Sequence, residues 1–252
     1  MIRRGPETAP ASLGTKQRIG RCLVVLCAIF LLMLGGGSVL ALLLLPMLTT
    51  TREIVRVEAA RNQLKEIGLA ARSYHEVYGR FPPPFTTDAD GTPTNSWRVL
   101  ILPYLSEAAN YNDWRLQRSW QEEPNVSFGD PAPRVYTSPI VQDPPTTTET
   151  HIFGIRHPRG VMMPDDAVAA TEIADGASRT IWAAYLPNHT THWAAPVDIS
   201  LDRLQDELAN LTESSPAILL FADGAVQLID QPLQRELVES LVTRDGNEPI
   251  DF

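Results

Sequence analysis

Apolar and polar positions follow three successive patterns along the chain. From Cys22 to Thr51 no side chain is charged, and Leu23 to Leu45 is dominated by Leu, Val, Ile and Ala. About 20 apolar residues suffice to cross the hydrocarbon layer as a helix, so this pattern predicts a membrane anchor over residues 22–48. A cleaved signal peptide is the competing reading, but its apolar core is only about 7–15 residues and ends at a small-residue cleavage site. Here the run resumes after Gly35-Gly36-Gly37-Ser38 with Val39 to Leu45. The glycines weaken the helix locally, and Pro46 ends or kinks it near the interface.

The second pattern has helical spacing. Val57, Ala60, Leu64, Ile67, Ala71, Tyr74 and Tyr78 recur three and four positions apart and fall on one face, with Arg56, Glu58, Arg61, Lys65 and Arg72 elsewhere. This predicts an amphipathic helix over 49–80, stopped by Gly79 and by Phe81-Pro82-Pro83-Pro84. Anchor and helix together form a rod of about 85 Å if unbroken, at about 1.5 Å per residue. The stripe is read as packing on its own domain in preference to serving intermolecular assembly, the two being compatible along different stretches.

From residue 81 to 252 the pattern is mixed. Phe85 to Asn95 reads as a turn-rich connector, Ser96 to Leu105 as a short apolar helix broken near Pro103, and Pro124 to Pro145 as an extended surface loop. His151–Ile155 and Thr180–Tyr185 read as strands. Ala217–Ala222 and Ala225–Ile229 flank Asp223-Gly224, the pair that a type I′ hairpin turn requires. Leu201, Leu204, Leu208 and Leu211 mark one helix face, and Glu236–Val242 a terminal helix. The fold class is α+β: a long N-terminal transmembrane-plus-amphipathic helix packed on an antiparallel sheet domain.

Charge sets the orientation. Arg3, Arg4, Lys16, Arg18 and Arg21 precede the anchor, and basic flanks mark the cytoplasmic side. Residues 1–21 are therefore a basic cytoplasmic tail, and 81–252 an extracytoplasmic domain. From Arg52 onward 16 basic residues face 29 acidic ones, a net charge of −13. No basic footprint for nucleic acid is present. Cys22 and Cys27 both lie in the apolar run, so the outer domain has neither a disulfide framework nor a cysteine metal site.

Candidate chemistry is sparse. His189 and His192 sit three apart with no accompanying Cys and read as a solvated loop rather than a metal pair. Asp88-Ala89-Asp90-Gly91 begins like a calcium loop but lacks the third acid and closing Glu, so it reads as a turn. Asp165, Asp166, Glu172 and Asp175 form no recognisable acid/base pair. Ser178 lacks a nucleophile-elbow context. His75 reads as a helix-packing or capping residue. The sequence thus points to no catalytic, cofactor-binding or metal residue and to no enzyme.

Several stretches resemble the bacterial family of domain of unknown function 1559, whose N-terminal part is similar to type IV pilins and type II secretion pseudopilins. They are Asn62 to Ala70, Tyr74-His75 with Tyr78 to Pro83, Ser96 to Leu100 with Leu102 to Leu105, Ile173 to Ile181, and Leu220 to Val226. The resemblance implies a pilin-like rod and a structural role, with envelope or secretion-machinery proteins, or other copies of the chain, as partners. Some secretion pseudopilins bind calcium. Two departures stand out. The apolar run holds no glutamate, so the prepilin peptidase signature is missing and the anchor is expected to stay uncut. Where the family often has His ten positions before the hairpin Asp-Gly, this chain has Glu213. The expected function is a single-pass, pilin-like structural protein of the bacterial cytoplasmic membrane. The alternative is an anchored extracytoplasmic ligand- or protein-binding module that does not assemble.

Overall fold

The computed structural model describes residues 52–106, 112–140, 148–213 and 215–246. The predicted tail 1–21 and anchor 22–48 lie outside the described residues. Among those described, no helix is long and apolar enough to cross a membrane. The chain divides into two units, Met1–Ile54 and Val55–Phe252, and the second holds every described strand.

Residues 52–78 are helical (α1). Ala60, Leu64, Ile67, Ala70 and Ala71 are sealed from solvent on one face, where burial of each large aliphatic side chain contributes about 1.5–3 kcal/mol. The stripe packs on its own domain as its spacing predicts, but fades at its end: Tyr74 is half-buried and Tyr78 is 60% exposed. Gly79 stops the helix at φ +74°, its N–H bonding the His75 carbonyl at 2.8 Å. The positive φ is what glycine supplies at a helix end. Phe81 then turns into the core.

The predicted connector is a hairpin of β1 (Phe85–Thr87) and β2 (Pro93–Ser96). Helix α2 (Trp97–Leu100) follows and breaks at Ile101 into a 3₁₀ turn, Leu102–Tyr104. Further on lie α3 (Asn125–Phe128), β3 (Glu149–Thr150), β4 (Ile152–Arg156), β5 (Ile181–Tyr185), β6 (Thr191–His192) and β7 (Ile199–Ser200). Helix α4 (Leu201–Ala209), β8 (Ala217–Phe221), β9 (Val226–Ile229) and α5 (Arg235–Val242) complete the described elements.

Five strands form one sheet in the order β7-β4-β5-β8-β9. Three of its pairings are antiparallel; β7 joins β4 in parallel. The sheet is therefore mixed at one edge, not wholly antiparallel. Its central strands are apolar on both faces because both are covered. Ile152, Ala183, Tyr185, Ile218 and Leu220 enter the core that includes the α1 stripe and Trp97. Phe153, Ile155, Ala184, Leu219 and Phe221 enter a second core with Leu201, Leu204, Leu208 and Leu211, the predicted face of α4. A register shift between Ile181 and Ala183 brings Trp182 into the first core beside Ala183.

Two local expectations are corrected. Pro124–Pro145 is expected as an extended surface loop; its described part, 124–140, holds α3 and a second 3₁₀ turn, with Asn125, Val135 and Tyr136 buried. Asn125 pins it, donating to the carbonyls of Arg115, Arg118 and Ser119 and accepting the Arg115 N–H. The β8–β9 turn is not the two-residue Asp223-Gly224 type. Gly224 N–H bonds Phe221 C=O at 2.9 Å, so Ala222 and Asp223 occupy the centre, and Gly224 follows at φ +90°. The positive φ belongs to a three-residue bulged loop.

Candidate functional site

Ser96-Trp97-Arg98 organises the centre of the molecule. Ser96 caps α2, its Oγ accepting from the Arg98 N–H and, at 2.6 Å, from Arg98 Nη1. Arg98 has no exposed surface. Its Nε and Nη2 donate to the Ile152 carbonyl at 2.9 and 2.6 Å, and Nη2 also meets Asp198 Oδ1 at 3.0 Å. The same Oδ1 accepts from Trp97 Nε1 at 3.0 Å and the Gly154 N–H at 2.7 Å. The guanidinium also lies 4.8 Å from the Trp97 ring centre. Burial lowers the Arg98 pKa, and the Asp198 carboxylate opposes that shift. A buried ion pair survives only when further hydrogen bonds satisfy it; here the guanidinium nitrogens and Asp198 Oδ1 are bonded, while Asp198 Oδ2 is buried without a hydrogen-bond partner. The pair joins α2, β4 and the strand lead-in at Val197–Asp198, and it is enclosed rather than open to substrate.

The surface offers a cleft of about 450 Å³ lined by Tyr74, Tyr78, Leu100, Leu102, Trp114 and Leu116 among others. Tyr74 and Tyr78 lie with ring centres 4.3 Å apart, and Tyr104 meets Tyr74 edge-on at 6.3 Å. Burial, then the neighbouring tyrosines, raises the Tyr74 and Tyr104 pKa values. The walls are apolar with a few hydroxyls, the lining of a binding cleft and not of an acid/base centre. A second cleft, about 340 Å³, lies between α1 and the β8–β9 tip and includes Arg72, His75, Glu76, Phe81 and Asp223.

The residues singled out in sequence are dispersed. His189 Nε2 lies 2.7 Å from Glu207 Oε1, whereas His192 stacks on Trp120 with ring centres 4.3 Å apart. Asp88 Oδ1 accepts from the N–H groups of Asp90 and Thr92 and so caps the β1–β2 turn. His75 Nε2 accepts the Ala170 N–H at 3.0 Å, the packing role expected of it. Asp166 pairs with Arg80 at 2.7 Å, Glu172 accepts from Ala169 N–H, and Asp175 accepts from Gly246 N–H. Among the described residues no three His, Cys, Asp or Glu side chains are grouped to hold a metal. The sequence gives no sign of Arg98 as the buried hub; Ser96-Trp97-Arg98 stands out as a motif, but its partner Asp198 is 100 positions away.

Residues 49–136 match the model of the family described as a protein of unknown function (DUF1559). The stretch takes in α1, the β1–β2 hairpin and Ser96-Trp97-Arg98, so the resemblance holds over the first three groups of motifs. No curated protein and no solved structure matches the chain.

Proposed function

We propose that this is a single-pass membrane protein of pilin or pseudopilin type, with residues 22–48 in the lipid and the acidic domain on the extracytoplasmic side. One observation carries the reading. The uncharged run 22–51 leads directly into α1, which is helical from its first described residue and whose stripe is built into the core of the domain. A helix that is both an anchor's continuation and a core element ties a domain to a membrane. The match of 49–136 is to a family of unknown function, so the pilin-like part of the reading rests on the resemblance of that family's N-terminal part to pilins. The role is structural, with envelope or secretion-machinery proteins or further copies as partners, and no catalytic step belongs to it.

The aromatic cleft beside Tyr74 and Trp114 favours a second reading, an anchored binding module that does not assemble. Cross-linking in native membranes followed by mass analysis separates the two. Multimers or adducts with envelope proteins are expected; monomers alone would leave the binding module.

A further inference from the structure

Three of the five histidines crowd one corner of the domain. Strands β3 and β6 form a separate two-stranded ribbon, pairing Glu149 with His192 and Thr150 with Thr191. Backbone bonds from Leu186 N–H to His151 C=O (2.8 Å) and from Trp193 N–H to Thr148 C=O (3.0 Å) tie 148–152 to 186–193. His151, between β3 and β4, is 2% exposed, and neither ring nitrogen makes a hydrogen bond of good geometry. The carbonyls of Leu186, Pro187 and His189 face the ring without a well-aligned bond, so burial penalises the neutral imidazole modestly and a charged one more.

We propose that the β3–β6 ribbon and the 186–193 segment form an acid-released latch, held closed by neutral His151 and His192. Burial lowers the proton affinity of both imidazoles. The opposing groups are few. His151 faces Glu149, the Tyr185 ring at 5.7 Å and the carbonyls of Leu186, Pro187 and His189. His192 faces Asp130, Glu149 and the ring of Trp120. One carboxylate, Glu149, is therefore shared by both. His189 stands opposite Glu207, so a charge there is paired.

The sign follows from linkage. For a base whose folded pKa is depressed, the closed form keeps its full advantage above the ordinary histidine value of about 6.5 and loses it as pH falls below that. The ribbon lies outside the five-stranded sheet, so its opening need not unfold β8 and β9. Opening would loosen Trp193, whose Nε1 donates to the Gly129 carbonyl at 2.8 Å, and so remove one tie of the 124–136 wrap, whose Asn125 bonds remain.

Hydrogen exchange on the full chain in detergent micelles, corrected for the intrinsic rate, tests this at pH 7.5 and 5.0. Peptides covering 148–152 and 186–193 are expected to exchange about tenfold faster at the lower pH, with β8–β9 unchanged. His151→Leu is expected to reduce that ratio to that of His192 alone, and adding His192→Gln to abolish it. A uniform rise across the domain, no rise, or an undiminished rise in the double variant would overturn the proposal. Should His151→Leu not fold, histidine NMR of the wild type decides: a His151 midpoint below the ordinary value and coincident with the exchange transition supports the latch, and one at or above it refutes it.

Discussion

Arg98 and Asp198 meet at 3.0 Å with side chains that are 0% and 1% exposed. The remaining hydrogen bonds of both tie the same two elements together, Arg98 through Ser96 and the Ile152 carbonyl and Asp198 through Trp97 and the Gly154 N–H. Removing one partner leaves a buried charge uncompensated, at a cost of about 3–5 kcal/mol. Asp198→Ala and Arg98→Met are each expected to destabilise the domain by that amount in chemical denaturation followed by tryptophan fluorescence. The double variant should cost much less than the sum, because neither charge is then left alone. Additive losses would mean that the two act independently.

Gly68 is where α1 touches the hairpin tip. A Cβ there would lie 3.0 Å from Leu220 Cδ1 and 3.1 Å from the Gly224 Cα. The leucine can give way; the backbone of Gly224 cannot do so cheaply. Gly68→Ala gains about 1 kcal/mol of helix propensity but meets an overpacking cost of about 1–3 kcal/mol. A net loss of stability in thermal melts is expected, and a rise in melting temperature would show that the contact relaxes.

Burial pushes the Tyr185 hydroxyl up to about 12, and its 2.7 Å hydrogen bond with Ser138 opposes the shift only in part. The folded state thus favours the protonated phenol. That stability is complete below the ordinary tyrosine pKa of about 10 and is lost as pH rises from there toward about 12. Melting temperature should fall across that window, and less steeply in Tyr185→Phe. Tyr74 and Tyr104, also raised, leave a residual slope.

Asn125 holds the wrap through three carbonyls. Asn125→Ala leaves them without that donor, a loss of about 1–3 kcal/mol. Limited proteolysis is expected to cut within 112–140 faster in this variant than in the wild type, with β8–β9 equally resistant in both.

The elements legible in the sequence are those whose signal is periodic. Ala60, Leu64, Ile67 and Ala71 announce one helix face, and Leu201, Leu204, Leu208 and Leu211 another, because burial repeats every turn. The β8–β9 pairing is visible from two apolar runs around Asp-Gly, but its turn register is set by the 2.9 Å bond from Gly224 to Phe221 and by docking of Ala222 N–H on Thr180 C=O. Long-range polar contacts leave no such trace. Nothing near Asp198 names Arg98 as its partner, and the prolines after Glu123 conceal a segment anchored by Asn125. Polar singletons such as His189 and His192 look like a pair only because they are close in sequence.

An uncut anchor over residues 22–48 is the feature on which the proposed role depends, and it can be read from protein extracted from native membranes after an alkaline wash. Mass spectrometry of that material should find peptides from residues 22–48 and from the basic segment before them, with the acidic domain accessible to protease only from the extracytoplasmic face. A wash-soluble domain lacking 22–48, or a mature chain beginning just after Gly20, would refute the uncut anchor.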